Sequence, residues 1–293
     1  MKALSNLLLL SLVTLTSCGN KKEITNDYLT LPNQLKEVSG LHYNPSNSTF
    51  WTLQDSGNKN ELYQLDTLGN IVHTLKITKE KNIDWEELTA DRIGNLYIGD
   101  FGNNKNQRKD LRILKINKED LTNQKATPAA IITFEYPEQT AFPPKDTELL
   151  YDAEAFFFYN DDFYIFTKNR SKAFDGTSLV YKVPNIPGHH KAEHVQTFKG
   201  CNIYKQCAIT GAAISPDENT FVLLSHSKIW IVDGFNPNAI MDGKITERKL
   251  HHVSQKESIT FKDNNTLYLA DEVKDKKGGK IYKVDLGDLK PKP

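Results

Sequence analysis

The sequence predicts an all-β fold, a β-propeller of four-stranded antiparallel blades closed by a strand from the N-terminal end. Three observations predict it. One hairpin pattern returns five times, a strand-like run follows every hairpin, and no long amphipathic helix interrupts them. Repetition of one supersecondary unit marks a radial or stacked architecture. Repeated four-stranded antiparallel units also limit the exposed sheet edges that isolated hairpins would present.

Taken in order, Lys2 near the start is followed by the apolar run "LLLLSLVTL". That run is too short to be a permanent membrane span. It ends in Leu15-Thr16-Ser17-Cys18, which resembles a bacterial lipobox, in which the cysteine is lipidated and becomes the mature N-terminus. The alternative is an ordinary signal peptide with an incidental cysteine. The lipobox reading expects a signal peptide over 1–17, a lipidated tether over 18–23 and one propeller domain over 24–293. It expects an exported protein anchored by lipid in a bacterial membrane, at the periplasmic face or the cell surface.

The five hairpins are "VSGLHYNPSNSTFWTLQDSGN", "WEELTADRIGNLYIGDFGN", "DAEAFFFYNDDFYIFTKN", "TGAAISPDENTFVLLSHS" and "KESITFKDNNTLYLADEV". Each joins two strands through a turn rich in Asn, Asp, Gly or Pro. Their first strands carry equivalent apolar anchors at Leu41, Leu88, Phe156, Ile214 and Ile259. Third strands follow as "ELYQLDT", "LRILKIN", "SLVYKVP", "KIWIVDG" and "KIYKVDL". Fourth strands follow only the first four copies, as "IVHTLKI", "AIITFEY", "EHVQTFK" and "ITERKLH". The fifth copy lacks one, and "ITNDYLTLP" near the N-terminus is expected to supply it. Steps between copies are 47, 68, 58 and 45 residues, and the longest contains the Pro-rich "PEQTAFPPKDTELL". Five blades are expected, and six if that insertion hides a degenerate one. The aromatic run Phe156-Phe157-Phe158-Tyr159 reads as packing between blades.

Composition narrows the function. The 37 basic side chains fall to 36 without Lys2, against 37 acidic ones. That balance argues against nucleic-acid binding. A monomer is expected. Cys201 and Cys207 are the two cysteines beyond the leader. In an exported chain they either close a small disulfide loop or remain as two buried thiols.

A site is expected at one mouth of the channel. Two residues before the anchors stand Ser39, Glu86, Glu154, Ala212 and Glu257. Twelve residues after four of the anchors, and fourteen after the first, stand Asp100, Lys168, His226, Asp271 and Asp55. Antiparallel strands bring the two sets to the same face. Glu86, Glu154 and Glu257 are candidate metal ligands, since crowded carboxylates need a cation or a proton and oxygen-rich sites suit calcium or magnesium. Asp55, Asp100, Lys168, His226 and Asp271 are candidate ligand-binding residues, with His226 and Lys168 also candidate catalytic groups. The structural alternative is that the aspartates only form turns and the glutamates only tie blades together.

The motifs "DWEEL…GNLYIGDFGNN", "YDAEAFFF…YIFTK", "TGAAISPDE" and "ESITF" resemble those of uncharacterised bacterial propeller lipoproteins, loosely allied to the SdiA-regulated, NHL-type and phytase-like esterase propellers. The resemblance implies the fold and little about activity. Its phytase-like branch implies calcium and phosphate-ester hydrolysis, but the dense acidic, basic and tyrosine constellation of that branch is not found. The leading expectation is therefore a scaffold for an unidentified protein or small-molecule ligand, with a divalent cation at the mouth. The alternative is a metal-dependent hydrolase of phosphate or carboxylic esters.

Overall fold

The structure, a computed structural model, describes residues 25–250 and 252–289. Cys18, the expected signal peptide and the expected tether lie outside them. The described chain forms five antiparallel blades in a closed ring. Blade one comprises Val38–Asn44, Thr49–Gln54, Glu61–Leu65 and Ile71–Ile77; blade two, Trp85–Ala90, Leu96–Asp100, Leu111–Ile116 and Ala130–Glu135. Blade three comprises Asp152–Tyr159, Asp162–Lys168, Thr177–Pro184 and Glu193–Lys199. Blade four comprises Gly211–Ile214, Thr220–Leu224, Lys228–Asp233 and Lys244–Lys249. Blade five has three strands, Lys256–Asp263, Thr266–Asp271 and Lys280–Asp285, and receives Asn26–Thr30 antiparallel at its outer edge. The first and last strands of the described residues thus close the ring through one sheet. The Pro-rich insertion forms no sixth blade.

The first strand of each blade lies innermost, and these five strands pack side by side around the channel. Because side chains alternate along a strand, each blade offers one apolar face to each neighbour. Five buried clusters result, one at every blade junction. The aromatic run shows the alternation directly: Phe156 and Phe158 face blade two, whereas Phe157 and Tyr159 face blade four. Polar contacts add to the junctions. Ser39 Oγ donates to the Trp85 carbonyl at 2.7 Å, and Thr210 Oγ1 donates to the Lys256 carbonyl at 2.6 Å.

Two short strands absent from the repeat pattern fasten neighbouring blades. Lys125–Ala126, beyond blade two's third strand, pairs parallel with the outer strand of blade one. Gly188–Lys191, from blade three, pairs parallel with the outer strand of blade two and carries His189 and His190. Each covers an edge that would otherwise leave backbone groups unpaired.

Candidate functional site

The glutamates reach the channel through a shared irregularity. In blades one, two, three and five the innermost strand skips one residue in its pairing. The skipped residues are Ser39, Glu86, Glu154 and Glu257. These are β-bulges, which bend a strand and re-aim the extra side chain. Blade four pairs continuously from Gly211 to Ile214 and places Ala212 there. Three carboxylates therefore converge on one mouth because three bulges share one position.

Two of the three are already matched by cations of the protein. Lys168 Nζ lies 2.9 Å from Glu154 Oε2 and 3.7 Å from Glu257 Oε2, with all three side chains at most 9% exposed. Arg170 bridges Asp152 at 2.6 Å and also binds Glu154, and it donates to the Tyr204 hydroxyl at 2.8 Å. His226 Nε2 lies 3.1 Å from Glu257 Oε1. Burial opposes the charge on Glu257, but Lys168 and His226 outweigh it and hold the carboxyl down at about 2. Burial likewise opposes the charge on Lys168, and Glu154 and Glu257 raise its pKa above the usual lysine value.

Glu86 differs. It is 7% exposed and has no hydrogen-bond or ion-pair partner among the described residues. Burial, then Glu154, Asp84 and Asp152, push its pKa well above the carboxylate range. Asp84 sits beside it with Oδ1 buried and unpartnered, and burial raises its pKa too. Both fit because residue 102 is glycine: a Cβ there would collide with Glu86 Oε1 and the Asp84 carboxylate. Around the same mouth burial pushes Asp55 up to about 7, helped by Glu37, Asp84, Glu154 and Glu257. Glu272 is pushed up to about 8 by burial, Glu257, Asp55 and Glu154. Such mutual shifts are the signature of carboxylates facing one another.

The structure gathers Asp55, Glu86, Glu154, Lys168, His226 and Glu257 but not Asp100 or Asp271. Those two are fully buried inside their blades. Asp100 is held by Arg108 at 3.1 Å and Arg112 at 2.8 Å; Asp271 accepts from the Lys280 N–H at 2.9 Å and the Tyr282 hydroxyl at 2.7 Å. Strand register explains the split. Val38 pairs with Gln54, Trp85 with Asp100, Ala153 with Thr167 and Lys256 with Asp271. Asp55, Lys168 and Glu272 each stand one residue further on, and one residue reverses the side-chain direction. Counting twelve residues forward mixes the two positions because the hairpin turns differ in length.

Sequence reasoning also missed a second polar ring. Four residues before the anchors stand Glu37, Asp84, Asp152, Thr210 and Gln255. The repeated "DWE" and "DAE" were its visible signal. Among the described residues no group of three or more His, Cys, Asp or Glu is arranged to hold a metal ion. Cys201 and Cys207 form a disulfide whose loop carries the short helix Tyr204–Cys207, and thereby presents Tyr204 to Arg170.

No protein-family model matches the chain, and no curated protein matches it in sequence. Among solved structures it is similar to the nidogen/laminin complex, with a TM-score of 0.50 and 11% identity, covering 87% of this chain and 78% of that one. It is equally similar to the PQQ-bound aldose sugar dehydrogenase of Streptomyces coelicolor, at 0.50 and 9% identity, covering 89% and 97%. These neighbours are β-propeller proteins, and at such identities the likeness is one of fold: this chain is a five-bladed β-propeller.

Proposed function

We propose that this is an exported, lipid-anchored binding propeller whose acidic mouth holds a positively charged group of its ligand. One observation carries the reading: Glu86 is nine-tenths buried, lacks a described partner, and stands beside Asp84 with its open oxygen. Buried carboxylates without partners are costly, and an arriving cation relieves the cost. An ammonium or guanidinium suits the mouth better than a calcium or magnesium ion. Glu154 and Glu257 are already engaged by Lys168, Arg170 and His226, which leaves Glu86 and Asp84 as the open pair. The same distribution weakens the hydrolase reading, since Lys168 and His226 each serve a glutamate. The structural neighbours include both a binding complex and an enzyme, so fold alone does not choose.

The test is a thermal melt of the chain lacking residues 1–18, in putrescine, calcium chloride, magnesium chloride or sodium chloride at matched ionic strength. A ligand at a hundred times its Kd stabilises by ~2.7 kcal/mol, or about 5 °C for a domain of this size. Putrescine is expected to raise the melting temperature, and Glu86→Gln to abolish the rise. No shift with any of the four sinks the reading. A shift with calcium alone, lost in Glu86→Gln, would replace the organic cation with a metal.

A further inference from the structure

The other end of the channel holds a site of opposite character. Beyond the level of the glutamates, Glu87 closes the channel. Its side chain is fully buried, and Oε1 accepts from the Leu88 N–H at 2.9 Å, the Leu41 N–H at 3.3 Å and the Ser258 hydroxyl at 3.0 Å. One residue from blade two thus reaches blades one and five across the axis. On the far side, toward the hairpin turns, lies a cavity of about 570 Å³. That volume falls in the usual range for small-molecule pockets, which are mostly apolar with a few placed polar groups.

The walls have that composition. Tyr43, Trp51, Phe158, Ala213, Ile259 and Phe261 supply apolar surface from blades one, three, four and five. Five charged side chains line the cavity, and three of them, Asp91, Arg92 and Glu218, are paired within the protein, while Lys118 and Lys262 are the other two. Asp91 accepts from the backbone of its own turn and from the Tyr97 hydroxyl at 3.0 Å. Arg92, in blade two's turn, forms a two-pronged pair with Glu218 in blade four's turn, Nε to Oε1 at 2.6 Å. Blade three lies between them, and its turn is only Asn160 and Asp161. The pair therefore straps the rim across a short blade. Arg92 is 77% exposed, so the strap is weak and opens at little cost.

His42 is the polar group inside. It lines the cavity, is half-buried, and has no hydrogen-bond partner among the described residues. Desolvation alone pushes its imidazole down to about 4, with no nearby carboxylate opposing the effect. It therefore stays neutral, with one donor and one acceptor nitrogen unmet.

We propose that this cavity binds an uncharged, predominantly apolar small molecule whose one hydrogen-bonding group meets His42, with the Arg92–Glu218 pair as its strap. The site is independent of the cation reading, because Glu87 separates the two ends. It also gives the small Ala213 and the half-buried Ala90 a reason: larger side chains there would fill the space.

The test uses the chain lacking residues 1–18, which contains the whole ring, and two fluorescent dyes of similar ring framework. N-phenyl-1-naphthylamine is neutral and carries one N–H. 1-Anilinonaphthalene-8-sulfonate is an anion. The neutral dye is expected to bind saturably at one site per chain, and the sulfonate at least tenfold more weakly. His42→Leu is expected to weaken the neutral dye about tenfold, the loss of one hydrogen bond. Ala213→Phe and, separately, Ala90→Leu are expected to abolish binding, with thermal melts showing which variants remain folded. If one filling variant fails to fold, the other decides. The proposal is overturned if the wild-type chain shows no saturable binding, if the sulfonate binds as tightly, or if a folded cavity-filling variant binds unchanged.

Discussion

Replacing Lys168 with methionine isolates the electrostatics of the mouth. Lys168 Nζ faces Glu154 at 2.9 Å and Glu257 at 3.7 Å. At an effective dielectric of about 20, those separations correspond to attractions of roughly 6 and 4 kcal/mol. Burying the ammonium costs several kcal/mol in the opposite sense, and breaking a buried pair by removing one partner typically leaves a net loss of about 3–5 kcal/mol. Lys168→Met should therefore lower the melting temperature at pH 7.5 by about 8 °C. The loss should depend on pH with a definite sign. Glu257 is held at about 2 against an ordinary value of 4.5. It contributes stability that is present above the ordinary value and disappears as pH falls toward 2. Removing Lys168 deletes most of that contribution, so the gap between variant and wild type should be full above about pH 5 and narrow below it. Adding Glu154→Gln should recover part of the loss, because one stranded carboxylate is removed. A fall of less than 2 °C (a quarter of the expected drop), or an equal fall at pH 4 and pH 7.5, would refute the reasoning.

Three further outcomes follow from the same geometry. Asp55 and Glu272 have folded pKa values raised from the ordinary 3.8 and 4.5 to about 7 and about 8, so their contribution to the folded state is full below about pH 4 and is lost progressively as pH rises from there through 7 to 8. Urea melts should show stability declining over that window, and Glu272→Gln should flatten the decline. Changing Cys201 and Cys207 together to serine opens a loop with a sequence separation of 6; urea melts should register a loss of about 2 kcal/mol. Cys18→Ser should abolish labelling by a radioactive fatty acid in a bacterial host and release the chain from the membrane fraction; unchanged labelling would remove the anchor from the account.

The blades were legible because each strand carries its own period-two pattern and each turn its own Asn, Asp, Gly or Pro. The N-terminal strand was legible by subtraction, since the fifth copy lacked a partner for Lys280–Asp285. The two parallel staples were not: Lys125–Ala126 has two residues and Gly188–Lys191 four, too few to show a period. The site was half legible. Distance back from the apolar anchor is constant because the bulge recurs, so Glu86, Glu154 and Glu257 came out together. Distance forward crosses a turn of variable length, so Asp100 and Asp271 were grouped with Lys168 although their side chains point into the blades. Glu272, one residue beyond Asp271, is the one at the mouth. Arg170 was hidden for a different reason: it follows Lys168 by two in "KNR", and only the folded chain shows that it reaches Asp152 and Glu154. The hairpin-end cavity left no motif, because it is made by what Ala90, Ala212 and Ala213 lack.

On this reading the mouth is a cluster of carboxylates, several of them with raised pKa values, that awaits a cation. Isothermal titration of putrescine into the chain lacking residues 1–18 tests it most directly, at pH 7.5 in two buffers of different ionisation enthalpy. Putrescine is expected to bind with a buffer-dependent heat that reports proton release from carboxylates such as Asp55 and Glu272, and Glu86→Gln is expected to lose that binding. Binding that is absent, or that releases no protons and survives Glu86→Gln, would contradict this reading.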